Sequence, residues 1–222
     1  MLEDALSYAR RGWLIIPLHT CDGTFIGKEP LTDCGFKDAT SNEMFVRYWW
    51  DKWPDANIGI KTGYQSGLVV LDIDKKNDGP ESLRLCEEYY GRLPKTLTVE
   101  SGGGGLHFYF RHPGFELRGR LGMRPGMDVK ADGGGITAPP SLHFSGKRYV
   151  WRDGPEDTEL AHMPDWLLTM IQTKSPKANP LKNKVEVAMD NIFGEEKCQV
   201  GDVEEVEFLK VLKQHPWVRV KG

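Results

Sequence analysis

The chain has 222 residues, of which 39% are hydrophobic and 27% are charged, and its net charge is −3. This composition predicts a soluble globular protein, and the apolar runs are too short to cross a membrane. The N-terminus lacks the layout of a signal peptide, and the four cysteines are scattered without a CxxC pair. We therefore expect a cytoplasmic protein with reduced thiols and no membrane partner.

Apolar patterning predicts both helices and strands in the first 173 residues. Helical spacing and terminal signals predict helices over residues 2–11, 79–90 and 163–173, and one that opens at a capping box, Thr40-Ser41-Asn42-Glu43, and ends before Pro54. Runs rich in β-branched and aromatic residues predict strands over residues 13–18, 57–61, 67–73, 96–100, 106–110, 126–131, 135–138 and 148–151. We therefore predict an α+β fold in which largely antiparallel sheets are flanked by helices.

The composition changes after residue 173. Residues 174–184 are polar, rich in lysine and interrupted by prolines, as linkers are. Within residues 185–222, the run VEEVEFLKVLKQH has acids early and lysines late, which favours a short helix. The prediction is one domain over residues 1–173, a linker over 174–184 and an unassigned, partly helical tail over 185–222.

The stretch LVVLDID ends a predicted buried strand with two carboxylates, Asp72 and Asp74. Residues i and i+2 of a strand share a face, so these carboxylates lie on one side, about 6–7 Å apart. Two such acids repel unless a cation or a proton lies between them, and Mg²⁺ or Mn²⁺ is the natural partner of carboxylate oxygens. The alternative is a turn in which the acids cap the following loop, KKNDG.

The stretch SGGGGLHFYF places His107 on the strand face opposite Leu106, Phe108 and Phe110. A lone histidine beside a core strand is usually structural. The four preceding glycines, however, let main-chain N–H groups come close to an anion, although glycine runs also occur as plain flexible turns. No GK[ST] follows, so the run is not a Walker A loop.

The stretch PGMDVKADGGG adds a third carboxylate. Met127 and Val129 share one strand face, so Asp128 and Lys130 share the other. Residues 101–152 are also net basic within an acidic chain, which suits a polyanionic ligand, although a solvated charged face is nearly as common. Three acids for two metal ions, with His107 and Lys130 for phosphate, predict metal-dependent chemistry on a phosphate.

Taken together, these stretches resemble the primase–polymerase family of the archaeo-eukaryotic primase superfamily from about residue 5 to residue 152. Order and spacing agree for eight stretches, namely GWLIIPL, GKEP, KDATSNEMFVRYWW, ANIGIKTG, LDID, LPKTLTVESGGGGLHFYF, PGMDVKADGGG and APPSLHFSGKRYVW. The resemblance implies a primase–polymerase catalytic domain over residues 1–173. It further implies a DNA primase or DNA-directed polymerase, a nucleotidyltransferase that makes primers, extends them, or both, on a single-stranded DNA template with Mg²⁺ or Mn²⁺.

The resemblance also assigns roles to residues. It implies that two metal ions are held by Asp72, Asp74 and Asp128, and that the incoming nucleoside triphosphate is bound by Ser101, His107 and Lys130, with Ser141 and His143 as weaker candidates. Lys28 in GKEP matches a recurrent family lysine whose role the sequence does not supply. The departures are four glycines where fewer are common and Lys130 where arginine is frequent.

Two other functional classes remain open on the residues alone. A metal-dependent phosphodiesterase or nuclease could use the same acids, and a non-catalytic single-stranded-DNA-binding module of a replication initiator could retain them without turnover. The preference between deoxyribonucleotides and ribonucleotides is also open. The linker and tail suggest a fused or separate helicase, or a helical template-binding domain, as a partner.

Overall fold

The computed structural model describes residues 1–21 and 23–173, so the predicted linker over 174–184 and the tail over 185–222 lie outside the described residues. The helices are α1 (Leu2–Arg10), α2 (Glu43–Lys52), α3 (Gly79–Tyr90) and α4 (Asp165–Gln172). The strands are β1 (Ile15–Leu18), β2 (Asn57–Lys61), β3 (Leu68–Ile73), β4 (Thr98–Glu100), β5 (Leu106–Arg111), β6 (Arg120–Arg124), β7 (Met127–Lys130), β8 (Gly135–Ala138), β9 (Val150–Asp153) and β10 (Ala161–His162). None of the helices in the described ranges is long and apolar enough to span a membrane.

The strands form two sheets. The small sheet has the order β1-β2-β8, and both of its pairings are antiparallel. The large sheet has the order β6-β7-β3-β5-β4-β9, again antiparallel, with β10 added in parallel to β5. The predicted α+β fold with largely antiparallel sheets and flanking helices is therefore confirmed.

The large sheet separates two hydrophobic cores, and β3 contributes to both. Val69, Leu71 and Ile73 pack with α3 and α4 on one face. Leu68 and Val70 pack on the other face with α1, α2 and the small sheet. Because alternate residues of a strand point to opposite faces, Asp72 lies on the side of Val70, next to the small sheet.

The N-terminus of α2 differs from the predicted capping box. Asn42 is the N-cap, and its side-chain oxygen accepts a hydrogen bond from the backbone N–H of Met44 at 2.9 Å. Glu43 is the first residue of the helix and not its third, so it cannot complete a capping box, and its carboxylate accepts two hydrogen bonds of 2.9 Å from the Arg10 guanidinium of α1. The helix therefore begins two residues later than the predicted box implies, and the Thr40 hydroxyl accepts a hydrogen bond from the Asn42 N–H at 3.1 Å instead of capping the helix.

Candidate active site

Three polar residues lie in one row across the large sheet. The register of β5, β3 and β7 places His107 opposite Asp72, and Asp72 opposite Asp128. Directly paired residues of antiparallel strands have Cα atoms about 4.5–5.5 Å apart, so these side chains are immediate neighbours. All three share the face of Val70 and Tyr109, as the alternation of apolar residues predicted.

A cleft of about 490 Å³ opens over this row. Its volume falls within the range of about 300–1,000 Å³ that is typical of small-molecule sites. The lining includes every predicted site residue except Ser141, and it also contains Lys28, Ile73, Lys76, Asn77, Gly103, Gly105, Gly122, Gly126, Phe144 and Tyr149. The cleft therefore combines carboxylates, cationic side chains and glycine backbone.

The three predicted metal ligands differ in their present contacts. Asp72 and Asp128 are partly exposed, and Asp128 accepts a hydrogen bond from the N–H of Gly122 at 2.7 Å and one from Nζ of Lys130 at 3.1 Å. Asp74 lies just beyond the end of β3. Its carboxylate caps the following turn, because it accepts from the Lys76 N–H at 2.9 Å and from Asn77 Nδ2 at 2.6 Å.

The pair Asp72 and Asp128 suits a hard divalent ion. Mg²⁺ usually binds through one or two carboxylates and completes its shell with water and substrate phosphates. In residues 1–21 and 23–173, no three His, Cys, Asp or Glu side chains are grouped closely enough to hold a metal by themselves. The adjacent carboxylates therefore fit an ion that a bound phosphate completes, rather than a closed protein cage.

The glycine run forms a closed turn. The N–H of Ser101 donates to the carbonyl of Gly105 at 2.9 Å, and the N–H of Gly105 donates to Ser101 Oγ at 3.0 Å. A Cβ on Gly105 would lie 2.6 Å from the carbonyl oxygen of Ile73, so no larger residue fits there. Within the described part of the chain, the N–H of Gly103 has no acceptor, so it is available to an anion.

His107 is held neutral by its surroundings. Burial lowers the pKa of His107, and nearby lysines lower it further, although Asp72 opposes the shift. Its Nε2 is 3.4 Å from Asp72 Oδ1, and its buried Nδ1 has no hydrogen-bond partner among residues 1–21 and 23–173. His107 therefore stands beside a candidate metal ligand as an uncharged ring.

His143 is the second histidine of the cleft. Its Nδ1 lies 2.9 Å from Ser145 Oγ and 3.1 Å from the Ser145 backbone nitrogen, so this edge of the ring contacts Ser145 and the Nε2 edge lies beside Gly103. Burial lowers the pKa of His143, and the charges of Lys28 and Lys76 lower it further. His143 therefore presents the Nε2 edge of its ring next to the glycine turn.

Lys28 is a lining residue whose role the sequence did not supply. Its loop is fixed by buried Asn57, whose Nδ2 donates to the carbonyls of Gly27 at 3.2 Å and Leu142 at 2.9 Å. The N–H of Leu142 donates back to Asn57 Oδ1 at 2.8 Å. Asn57 thus joins the Lys28 loop to the segment before His143. The sequence offered one signal for this role, namely that the polar residue Asn57 opens the largely apolar strand β2.

Ser141 does not line the cleft. It is fully buried, and its Oγ accepts a hydrogen bond from the Ile58 N–H of β2 at 2.8 Å. The structure therefore brings together seven of the predicted site residues and places Ser141 behind them, within the small-sheet side of the core.

The fold therefore presents a cleft in which a glycine turn and cationic side chains face a pair of carboxylates. Residues 5–166 match the family described as Prim-Pol, bifunctional DNA primase/polymerase, N-terminal, and the chain belongs to this family. The match indicates DNA primase/polymerase activity in general terms. No match was found among curated proteins.

Proposed function

We propose that this protein transfers nucleotides from nucleoside triphosphates to a growing strand on a single-stranded DNA template. The observation that carries the proposal is the cleft itself, in which the paired Asp72 and Asp128 face the glycine turn and the side chains of Lys28, His107 and Lys130. Phosphoryl transfer requires mainly positioning and charge neutralisation, and this arrangement provides both.

Asp72 and Asp128 would hold divalent ions, Mg²⁺ or Mn²⁺, with Asp74 as a further ligand if it leaves its turn. Two such ions, when bound, activate the attacking 3′-hydroxyl and stabilise the leaving oxygen of an in-line displacement at phosphorus. The donor set supports this assignment because it consists of carboxylate oxygens open to the cleft.

The remaining residues bind and orient the triphosphate. The ammonium groups of Lys28 and Lys130 offset the negative charge of the phosphates, and the contact with Asp128 holds Lys130 beside the acids. The Gly103 N–H adds a hydrogen-bond donor on the glycine side, where the Nε2 edge of His143 also lies.

Two other classes predict different behaviour. A phosphodiesterase or nuclease has no use for a triphosphate site, so nucleoside triphosphate binding separates it from the proposal. A non-catalytic DNA-binding module would bind single strands without turnover. The arrangement of Lys28, Gly103 and Lys130 around one cleft favours the nucleotidyltransferase.

The test is synthesis on single-stranded DNA, with and without an annealed primer, using labelled deoxyribonucleotides or ribonucleotides and Mg²⁺ or Mn²⁺. Asp72→Asn should abolish synthesis and keep the thermal midpoint, whereas Asp51→Asn, at an exposed acid of α2, should change neither. New chains without a primer would establish primase activity, and extension alone would establish a polymerase. Retained synthesis with unchanged metal dependence in Asp72→Asn would refute the site.

A further inference from the structure

Phe144 is an exposed aromatic ring in the lining of the cleft. It is 52% exposed, whereas the other large apolar lining residues, Ile73 and Tyr149, are 1% and 2% exposed. A single exposed aromatic residue is ordinary on a protein surface. At the wall of a ligand cleft, however, the same ring offers a flat apolar face to whatever binds there.

The ring of Phe144 is carried by a well-braced turn. The N–H of His143 donates to the Lys147 carbonyl at 2.8 Å, and the N–H of Gly146 donates to the His143 carbonyl at 2.9 Å. Ser145 Oγ donates to the Gly102 carbonyl at 2.8 Å, which joins this turn to the glycine run. The His143 ring also packs on Phe144, with centroids 4.0 Å apart, so the platform is ordered before any ligand arrives.

A lysine of the cleft lies close to the ring of Phe144. Nζ of Lys76 stands 5.2 Å from the ring centroid of Phe144, and Lys76 lines the same cleft. A bound nucleobase would take the place of this ammonium group, since aromatic faces stack on bases as well as attract cations. The ring therefore lies at the wall of the cleft, within reach of a planar group of the ligand.

We propose that Phe144 is the stacking platform for the base of the nucleoside triphosphate, an inference that rests on the proposed function. The turn that carries Phe144 also carries His143 and is bonded to Gly102, so the ring belongs to the wall that holds the phosphates. A nucleotide anchored there has its own base within reach of the ring. Stacking tolerates every base, as an enzyme whose template selects the nucleotide requires.

The experiment is calorimetric titration of the protein with dATP and, separately, with inorganic triphosphate, both in the presence of Mg²⁺. Phe144→Ala should weaken dATP binding by about 5- to 150-fold, which is the range for losing one base–aromatic stack. Its affinity for inorganic triphosphate should not change, because that ligand has no base. Phe144→Trp should restore dATP binding.

Phe45→Ala is the matched control, since Phe45 is a 49% exposed phenylalanine on α2 that does not line the cleft. It should leave both affinities unchanged. If Phe144→Ala weakens the binding of dATP and of inorganic triphosphate equally, or weakens neither, the stacking role is overturned. In that case, binding of the two ligands by the wild-type protein still supports the triphosphate site. Wild-type protein that binds neither compound would overturn the proposed function, and the stacking role with it.

Discussion

Replacing Ser141 with alanine separates a structural role for this residue from a role in nucleotide binding. Its hydroxyl is the acceptor for the buried Ile58 N–H at 2.8 Å, and Ser141 has no exposed surface. A buried donor that loses its partner costs about 1–3 kcal/mol of folding free energy. For a chain of this size, each kcal/mol lowers the thermal midpoint by about 2–4 °C, so we expect a fall of about 2–12 °C.

Scanning calorimetry measures this fall, and titration with dATP and Mg²⁺ measures the binding of the same Ser141→Ala variant. We expect a lower thermal midpoint and an unchanged affinity for dATP. Ser7→Ala is the control, because the Ser7 hydroxyl donates only to the Asp4 carbonyl within α1, and its loss orphans no buried group. An unchanged midpoint combined with a tenfold or greater loss of dATP affinity would refute the reasoning and move Ser141 into the nucleotide site.

Three further perturbations test other parts of the account. Gly102→Ala would place a Cβ 2.5 Å from that of His143, so it should lower both the thermal midpoint and dATP affinity; normal values for both would contradict the packing. Lys28→Met should weaken the binding of inorganic triphosphate about tenfold or more, because a charged hydrogen bond is lost. Unchanged binding would exclude Lys28 from the triphosphate site. Burial alone would raise the pKa of Asp132, but backbone donors and His112 lower it overall, so its ionised form stabilises the fold. That stabilisation is complete above about pH 4 and is lost as the pH falls through the lower folded-state pKa. Denaturation of Asp132→Asn should therefore differ from wild type at neutral pH and converge with it in acid; a difference independent of pH would contradict the assignment.

The strand faces on which Asp72, His107 and Asp128 lie were predictable from the sequence. Once a strand is identified, its period of two fixes which residues share a face, and apolar neighbours identify the core side. The register that makes the three residues neighbours was not predictable, because strand pairing depends on turns and packing remote from the motifs. The structure supplied that step.

Features that depend on remote contacts were outside the reach of pattern reasoning. Asp74 differs, because its contacts are local: it lies one residue beyond the end of β3 and caps the following turn, which is the alternative that the sequence left open. The burial of Ser141 depends on Ile58, 83 positions away in the sequence. The edge strand β6 was not predicted, because its sequence RLGMR contains two arginines and a glycine, and these residues are weak strand signals.

Template dependence on homopolymeric single strands tests the central claim most directly. With Mg²⁺ or Mn²⁺ and a labelled nucleotide, oligo(dT) should direct incorporation of adenine nucleotides, and oligo(dC) should direct incorporation of guanine nucleotides. Both activities should be lost in Asp128→Asn, which removes a carboxylate from the cleft. Incorporation that ignores the template, or cleavage of the strands without incorporation, would contradict the account.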